Sequence, residues 1–328
     1  MSRVLGLLCI VVGIVAAVYA FRLPFLPATG IPTAGETMPS RSSAPPDPPY
    51  IMFSTMAPDT FKRVAMVPVD AAEQGRFVSD LQCDRLYFAA GRGICLLTVF
   101  DGLTTKHVAT VFDAAFRSVA SVSLTGVPSR ARVSPDGRRA AVTVFEQGHS
   151  YAEEGFSTKT TILDAITGAS IGDLEQFTVL RDGVPFKSAD FNFWGVTFAR
   201  DGNRFYATLA TARMPYLVEG FVDTRTVRIL RAGIECPSLS PDNRRIAYKQ
   251  LMNRGFWRIN VLDLATGGVT SLDSETRSVD DQVDWLDDEH VIYHITGSHG
   301  GDVWKLRTDA SQPPEMIVPY AYSPSVVR

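Results

Sequence analysis

One recurring pattern limits what this chain can fold into: a short apolar run, a turn centred on an acidic residue, and a second apolar run. The best-preserved copy is ARVSPDGRRAAVTV at positions 131–144, and further copies occupy 195–209, 236–250 and 283–296. The runs are rich in Val, Ile, Phe, Tyr and Thr and are broken by Gly, Asp, Asn and Pro, which predicts strands rather than helices. The chain is therefore expected to be all-β.

The spacing of the acidic turn residues indicates how the strands are grouped. These residues are Asp136, Asp201, Asp242 and Asp288, with a fainter copy at Asp84, and the intervals between them are 52, 65, 41 and 46 residues. Units of this size with several strands each are typical of a β-propeller, in which every unit is a four-stranded blade. A second turn, Asp-x-x-Thr-Gly or a variant of it, recurs in three units and predicts the return to an outer strand.

The predicted blades account for most of the chain and leave two ends over. Five blades are predicted at 75–113, 130–180, 195–231, 236–272 and 282–318. Residues 61–70 have the pattern of an outer strand, and residues 319–328 have that of an inner strand. If these ends share one blade, the ring closes and no sheet edge is left bare. We therefore predict six blades, in preference to five or seven, with the N- and C-terminal strands in one blade.

Two copies of the repeat resemble a known propeller family. VSPDGRRAAV (133–142) and LSPDNRRIAY (239–248) are similar to the TolB-type repeat, a relative of the WD repeat in which an aromatic or apolar residue precedes Ser-Pro-Asp-Gly. The resemblance covers most of residues 75–328 and implies a propeller fold. TolB has an α/β domain ahead of its propeller, whereas this chain has an apolar segment and a Pro-rich stretch there. The family's partners, such as peptidoglycan-associated lipoproteins, are therefore not carried over.

The N-terminal region predicts attachment to a membrane or export. Residues 4–21 contain no charge, lie between Arg3 and Arg22, and would span about 27 Å as a helix, close to the ~30 Å hydrocarbon core of a bilayer. Residues 1–23 are thus predicted to be a transmembrane anchor or a cleaved signal peptide, followed by a Pro-rich disordered linker at 24–52 and the propeller at 53–328. The propeller is expected outside the cytoplasm, either membrane-anchored or secreted and periplasmic.

Charge and cysteine content exclude some classes of protein. A formal net charge of −3 argues against nucleic-acid binding, because the basic patch that would neutralise phosphates is missing. Beyond the apolar segment the cysteines are Cys83, Cys95 and Cys236, an odd number that implies no disulfide framework. Cys83 and Cys95 are not expected to lie directly opposite each other.

The chain is expected to be a monomer that binds a protein or an envelope component, with the membrane contacted through residues 4–21.

The alternation of the inner strands predicts residues at the mouth of the central channel. Three positions before each turn residue lie apolar side chains, which are expected to pack between blades, and the residue before each of these is polar. Because alternate residues face opposite sides of a strand, we expect the polar set to line or border the channel mouth and to bind a ligand or partner. The alternative is hydrogen bonding between neighbouring blades. The set consists of Asp80, Arg132, Thr197, Ser238 and Asp284.

Aromatic residues in two long insertions are candidates for a second binding surface. The insertions at 146–157 and 183–194 are predicted to lie on a rim of the propeller, where aromatic side chains often anchor partners. The alternative is that they cap the core of a blade. The candidates are Tyr151, Phe156, Phe191, Phe193 and Trp194.

No combination of residues predicts a particular reaction. His294, His299 and Asp302 follow an acidic segment and could in principle bind Zn²⁺ or Ca²⁺, but no pair has a diagnostic spacing, so no cofactor is assigned. We predict no catalytic residue and no metal ligand. The sequence favours a non-catalytic, extracytoplasmic propeller that binds a protein or envelope component through a rim. The alternative is a metal-dependent, lactonase-like hydrolase that uses the central channel.

Overall fold

The computed structural model describes residues 40–72, 75–146, 157–297 and 300–328. Its strands form six separate sheets, and the innermost strands of neighbouring sheets contact one another around a closed ring. The molecule is therefore the six-bladed β-propeller that the repeat predicts. In the blades below, strands run from the channel outwards.

The closing blade combines both ends of the ring. Its strands are β26 (Ala321–Val327), β1 (Tyr50–Thr55), β2 (Arg63–Pro68) and β3 (Phe77–Gln82). β26 and β1 are antiparallel, with Tyr50 opposite Val327 and Thr55 opposite Ala321. The predicted sharing of one blade between the two ends is confirmed.

The other blades are built from consecutive stretches of chain. The first blade contains β4 (Arg85–Ala89), β5 (Arg92–Phe100), β6 (Thr105–Asp113) and β7 (Ser118–Leu124). The second contains β8 (Val127–Val133), β9 (Arg139–Glu146), β10 (Ser157–Asp164) and β11 (Ser170–Asp173). The fourth contains β18 (Glu235–Leu239), β19 (Arg245–Leu251), β20 (Trp257–Asp263) and β21 (Val269–Ser271). The fifth contains β22 (Asp284–Trp285), β23 (His290–Ile295), β24 (Asp302–Arg307) and β25 (Glu315–Val318).

The third blade has two more strands than the others. Its regular strands are β14 (Asn192–Phe198), β15 (Arg204–Thr211), β16 (Met214–Phe221) and β17 (Thr226–Ala232), and its outer edge carries β12 (Thr178–Arg181) and β13 (Val184–Phe186). β12 pairs in parallel with β17. The second predicted blade, 130–180, therefore ended too late, because residues from Thr178 onwards extend the next blade.

The first predicted boundary is also wrong, by one strand. Residues 61–70 contain the third strand of the closing blade, and the outermost strand is Phe77–Gln82, which the prediction placed innermost in the first blade. The blade boundary is wrong because Asp84 lies in the connection between two blades and not in the first hairpin turn of a blade.

The predicted linker 24–52 overlaps the propeller. β1 starts at Tyr50, inside that stretch. Arg41, also within it, forms an ion pair with Asp59 at 2.5 Å.

The cores lie between adjacent blades, because the strands near the channel are buried on both faces. One cluster joins Ile94 and Leu96 of the first blade to Val142 and Leu163 of the second. Another joins Phe53 of the closing blade to residues of the fifth blade. Four of the five apolar residues predicted between blades are at most 8% exposed, namely Val133, Phe198, Leu239 and Trp285, whereas Leu81 lies on an outer strand.

A disulfide joins Cys83 to Cys95, a bond that the odd cysteine count did not imply. In the β4–β5 hairpin, Cys95 lies opposite Leu86. Cys83 and Cys95 are therefore not directly opposite each other on paired strands, as expected. Cys83 nevertheless reaches Cys95 from the connection that precedes β4, with 5.3 Å between the two Cα atoms. The bond therefore links the connection from the closing blade to the second strand of the first blade.

The described helical structure includes short 3₁₀ turns at Pro58–Thr60, Leu174–Gln176 and Asn253–Gly255. Within the described ranges no helix has the length and apolar character needed to cross a bilayer. The predicted membrane segment at 4–21 lies outside the described residues.

Candidate functional site

The six innermost strands surround the channel and lead from one mouth to the other. At one end, four of them pass into the turns of the repeat at 134–138, 199–203, 240–244 and 286–289. We call this end the turn-side mouth and the opposite end the loop-side mouth.

In the second blade the turn is closed by the predicted acidic residue, Asp136, which accepts hydrogen bonds from the Ser134 hydroxyl and the Arg138 amide. Asp201 and Asp242 close the turns of the third and fourth blades in the same way. In the fifth blade the carboxylate that accepts the turn amides is that of Asp287 and not that of the predicted Asp288.

A buried ion pair crosses the channel near the turn-side mouth. Arg132 of the second blade donates from Nη1 to Asp284 Oδ1 of the fifth blade over 3.0 Å, and both side chains are about 95% buried. Asp284 also accepts hydrogen bonds from the Tyr87 hydroxyl at 3.3 Å and from the Val326 amide at 2.9 Å. The guanidinium of Arg132 lies 4.3 Å from the centre of the Tyr87 ring. Four blades are thus connected through one carboxylate.

Three of the five predicted channel-mouth residues belong to this network. Arg132 and Asp284 form its ion pair, and Ser238 Oγ accepts a hydrogen bond from Arg132 Nη2 at 3.4 Å. Thr197 lies beside them and accepts a hydrogen bond from the Leu239 amide at 3.1 Å. Hydrogen bonding between blades, the alternative considered for this set, is therefore present. Ligand binding by these residues stays a prediction.

The predicted position of Asp80 is wrong. Asp80 lies on the outermost strand of the closing blade, where its side chain is 98% exposed and pairs with Arg63 at 2.9 Å. The residue that takes the corresponding place in the channel is Tyr87, on the innermost strand of the first blade. Tyr87 was not predicted because the hairpin that follows it turns at Ala90 and Gly91, without an acidic residue.

A second polar layer lies nearer the loop-side mouth. Arg85 and Arg130 approach Asp281 Oδ1 at 3.1 and 3.7 Å. Burial alone would raise the pKa of Asp281, but the two guanidinium groups outweigh it and lower that pKa to about 2. Next to Asp281, Gln282 donates across the channel to the carbonyl oxygens of Val196 at 3.2 Å and Pro237 at 2.8 Å.

Side chains of the two layers meet across the channel and narrow it. A cavity of about 20 Å³, room for about one water molecule, lies among Arg85, Arg132 and Asp281. Arg85, Arg130 and Asp281 were not predicted as channel residues. Arg130 and Asp281 could have been predicted. Arg130 lies two positions before Arg132 on the same inner strand, and Asp281 lies three positions before Asp284, just ahead of its strand.

An open cleft of about 270 Å³ lies on the turn side of these two layers. Its floor is Tyr87, Arg132 and Asp284, and Arg200 and Arg328 lie among its walls. Its apolar wall is formed by Val133, Pro135, Phe198, Leu239, Pro241 and Trp285. Asp284 is the only acidic residue among the described residues that line the cleft.

Near the loop-side mouth, a carboxyl group lies in a poorly solvated position. Burial raises the pKa of Glu235 to about 7, Lys249 and Arg130 act in the opposite direction, and Asp280 adds to the rise. Glu235 and Lys249 are register partners on β18 and β19. Burial also lowers the pKa of the nearby His294, whose ring packs edge-on against Tyr322 with 4.5 Å between centroids.

The rim candidates of the third blade are not exposed as expected. Phe193 is 0% and Trp194 2% exposed, because β14 is covered by neighbouring blades, and Phe191 is partly buried against the same core. These three side chains therefore match the alternative, in which aromatic residues fill a blade. Tyr151 and Phe156 lie outside the described residues.

The described ranges contain no group of three or more His, Cys, Asp or Glu side chains placed to hold a metal ion. His294 and Asp302 are described, on β23 and β24, whereas His299 is not.

Comparisons with known proteins support the fold. No protein-family model matches the chain, and no curated protein matches it. Among solved structures, TolB from Acinetobacter baumannii is similar with a TM-score of 0.60 and 16% identity over 85% of this chain and 67% of that one. A putative TolB from Agrobacterium tumefaciens gives 0.50 and 12% over 82% and 87%. A chain of a nidogen/laminin complex gives 0.54 and 11% over 84% and 97%. The resemblance to TolB-type propellers is thus confirmed at the level of the fold.

Proposed function

We propose that this propeller is a non-catalytic binding protein that works outside the cytoplasm and holds a protein or another envelope component at its turn-side mouth. The observation that carries the proposal is the cleft at the turn-side end of the channel. Its lining comes from five blades and from Arg328, which directly follows β26 of the closing blade, and it combines charged groups with an apolar wall. A floor fixed by a buried ion pair presents these groups in a defined geometry, which lowers the entropy cost of binding.

The site of action is supported by two features. The Cys83–Cys95 disulfide is of the kind that forms and persists in oxidising compartments. The uncharged segment at 4–21 would provide export and, if retained, a tether to the membrane. The fold agrees with a binding role, since its structural neighbours include TolB proteins and a chain from a nidogen/laminin complex.

Site-specific photocrosslinking in the native membrane tests this proposal. Pro135 is exposed and lines the cleft, so a photoreactive p-benzoylphenylalanine at this position is expected to trap the bound component. The matched control carries the same group at Leu103, which is 93% exposed on the loop side. A discrete product from position 135 and not from 103 supports the proposal, and a product from position 103 alone contradicts it.

The hydrolase alternative is tested on the same purified protein. No stoichiometric metal in elemental analysis, together with no rise in melting temperature in Ca²⁺ or Zn²⁺, would remove most of the support for the hydrolase.

A further inference from the structure

The side-chain charges around the turn-side cleft are unbalanced. Arg132, Arg200 and Arg328 line it, and Asp284 is the only acidic side chain among its described lining residues. The Asp284 carboxylate is already used by Arg132, Tyr87 and the Val326 amide. No other acidic side chain of the described lining is therefore available to Arg200 and Arg328.

The described contacts of these two arginines go to backbone oxygens. Arg200 Nη2 donates to Pro241 O at 2.8 Å, and Arg328 Nη2 donates to Trp285 O and, at 3.4 Å, to Leu286 O. Neither forms an ion pair with a carboxylate of the described residues. A guanidinium has five N–H donors, so each of them retains donors for a ligand. The backbone contacts also hold both side chains at the cleft, which reduces the entropy lost on binding.

The nearest acidic residues outside the cleft are occupied by their own turns. Asp242 Oδ1 accepts from the Ser240 hydroxyl at 2.5 Å and from the Arg244 amide at 3.1 Å. Asp201 Oδ1 accepts from the amides of Asn203 and Arg204, both at 2.8 Å. Both carboxylates hold their own turns through Oδ1, and neither lines the cleft.

We infer that the turn-side cleft binds a carboxylate of an acidic peptide segment in a protein partner, held between Arg200 and Arg328. Guanidinium groups bind carboxylates through paired, charge-assisted hydrogen bonds. The apolar wall that includes Pro135, Pro241 and Trp285 suits the aliphatic part of a peptide side chain better than a bare inorganic anion. The volume of about 270 Å³ lies just below the ~300–1,000 Å³ of typical small-molecule pockets, which fits a side chain or two of a larger partner. This inference rests on the proposed function and specifies the partner's chemistry.

Fluorescence anisotropy with defined peptides tests the inference on the full chain in detergent. The probe is a fluorescein-labelled hexaglutamate peptide with an amidated C-terminus, and the neutral comparison is the hexaglutamine peptide. We expect binding of hexaglutamate that weakens with salt, and no binding of hexaglutamine. In the double variant R200Q/R328Q, the affinity for hexaglutamate should fall by about tenfold or more.

A third arginine provides the matched control. Arg138 is exposed on the neighbouring turn but does not line the cleft, so R138Q should bind hexaglutamate as the wild type does. Equal affinity of wild type and R200Q/R328Q, or equal binding of the two peptides, would overturn the inference. Inorganic phosphate, or vesicles of phosphatidylglycerol, binding at these arginines when hexaglutamate does not would assign the cleft to another anion and also overturn it.

Failure of this inference is distinguishable from failure of the proposed function. Crosslinking from position 135 does not depend on the charge of the partner. A product there without hexaglutamate binding removes only the carboxylate assignment, whereas crosslinking from position 103 alone removes the turn-side mouth as the binding surface.

Discussion

At the scale of single residues, Asp284 and Asp80 show how much the surroundings of a carboxylate decide its role. Both were predicted at the channel mouth, and both pair with an arginine at about 3 Å. Asp284 is buried with Arg132, whereas Asp80 is almost fully exposed. Removing one partner of a buried pair leaves an uncompensated charge in a poorly solvated site, while an exposed pair contributes little.

The Asp284→Asn variant is therefore expected to lose about 3–5 kcal/mol of unfolding free energy. Its matched control, Asp80→Asn, should change by less than about 1 kcal/mol. Urea denaturation followed by tryptophan fluorescence measures both. Similar losses in the two variants would contradict the buried ion pair as the anchor of the channel.

Glu235 predicts a pH dependence of stability. Burial raises its pKa from 4.5 to about 7, so the native state holds the proton more tightly than the unfolded state does. Its contribution to stability is complete below about pH 4.5 and is lost as the pH rises through 7, by about 2–3 kcal/mol. Glu235→Gln should remove this part of the decline in urea titrations between pH 4.5 and 8. The matched control is Glu315→Gln, because Glu315 is exposed. If the unfolding free energy of Glu235→Gln declined with pH in parallel with that of the wild type, Glu235 would not be the source of the decline.

At the scale of elements, the repeat predicts hairpins well where its turn chemistry is present. In the second and fourth blades, the Asp of Ser-Pro-Asp accepts the serine hydroxyl and a backbone amide, so the local sequence alone specifies the turn. The first blade turns at Ala90 and Gly91 without an acid, and Asp84 instead accepts the Thr98 amide at 2.6 Å in a connection between blades. Because the prediction took Asp84 as the turn residue, it assigned the inner strand of the first blade one strand too early, to the strand that contains Asp80.

Contacts between blades were beyond prediction from local patterns. Arg139 donates to Gly202 O at 2.8 Å in the next blade's turn, and Arg245 donates likewise to Asp288 O. The partners of Arg132 lie 106 and 152 residues away along the chain, at Ser238 and Asp284. Such pairs depend on ring closure. The burial of Phe193 and Trp194 has the same origin, since it requires neighbouring blades on both sides of β14.

The disulfide is expected to stabilise the junction between the closing and first blades. It closes a loop with a sequence separation of 12, for which the loss of chain entropy in the unfolded state corresponds to about 3 kcal/mol. The double variant C83S/C95S should lose about this amount in urea denaturation under oxidising conditions. C83S/C95S as stable as the oxidised wild type would contradict a stabilising bond at this junction. Cys236 is buried and forms no disulfide, so reductant does not change its contribution to the free energy of unfolding. It therefore serves as the comparison for the disulfide-bonded pair.

At the scale of the whole molecule, closure of the ring depends on the last strand. Ser323 and Ser325 accept hydrogen bonds from the Leu86 and Phe88 amides of the first blade, each at 3.1 Å. The Val326 amide reaches Asp284 of the fifth blade. β26 therefore contacts blades on both sides of the closing blade as well as β1.

A chain that ends at Tyr320 lacks β26, which takes part in two blade interfaces and contacts Asp284 on the floor of the cleft. Such a chain should lose its cooperative unfolding transition. Ser323→Ala, which removes the contacts of the Ser323 hydroxyl with the Leu86 amide and carbonyl, should keep a cooperative transition with a loss of about 1–2 kcal/mol. Urea denaturation followed by far-UV circular dichroism distinguishes them. A shortened chain that still unfolds cooperatively near the wild-type midpoint would show that ring closure contributes little.

Footprinting of the complex between the full chain and the photocaptured component tests whether binding takes place at the turn-side mouth. Hydroxyl-radical labelling read by mass spectrometry compares the free and bound chain. We expect protection at the turns 134–138, 199–203 and 240–244, with unchanged labelling at the loop-side segments 101–104 and 252–256. Protection at the loop-side segments with the turns unchanged would contradict binding at the turn-side mouth.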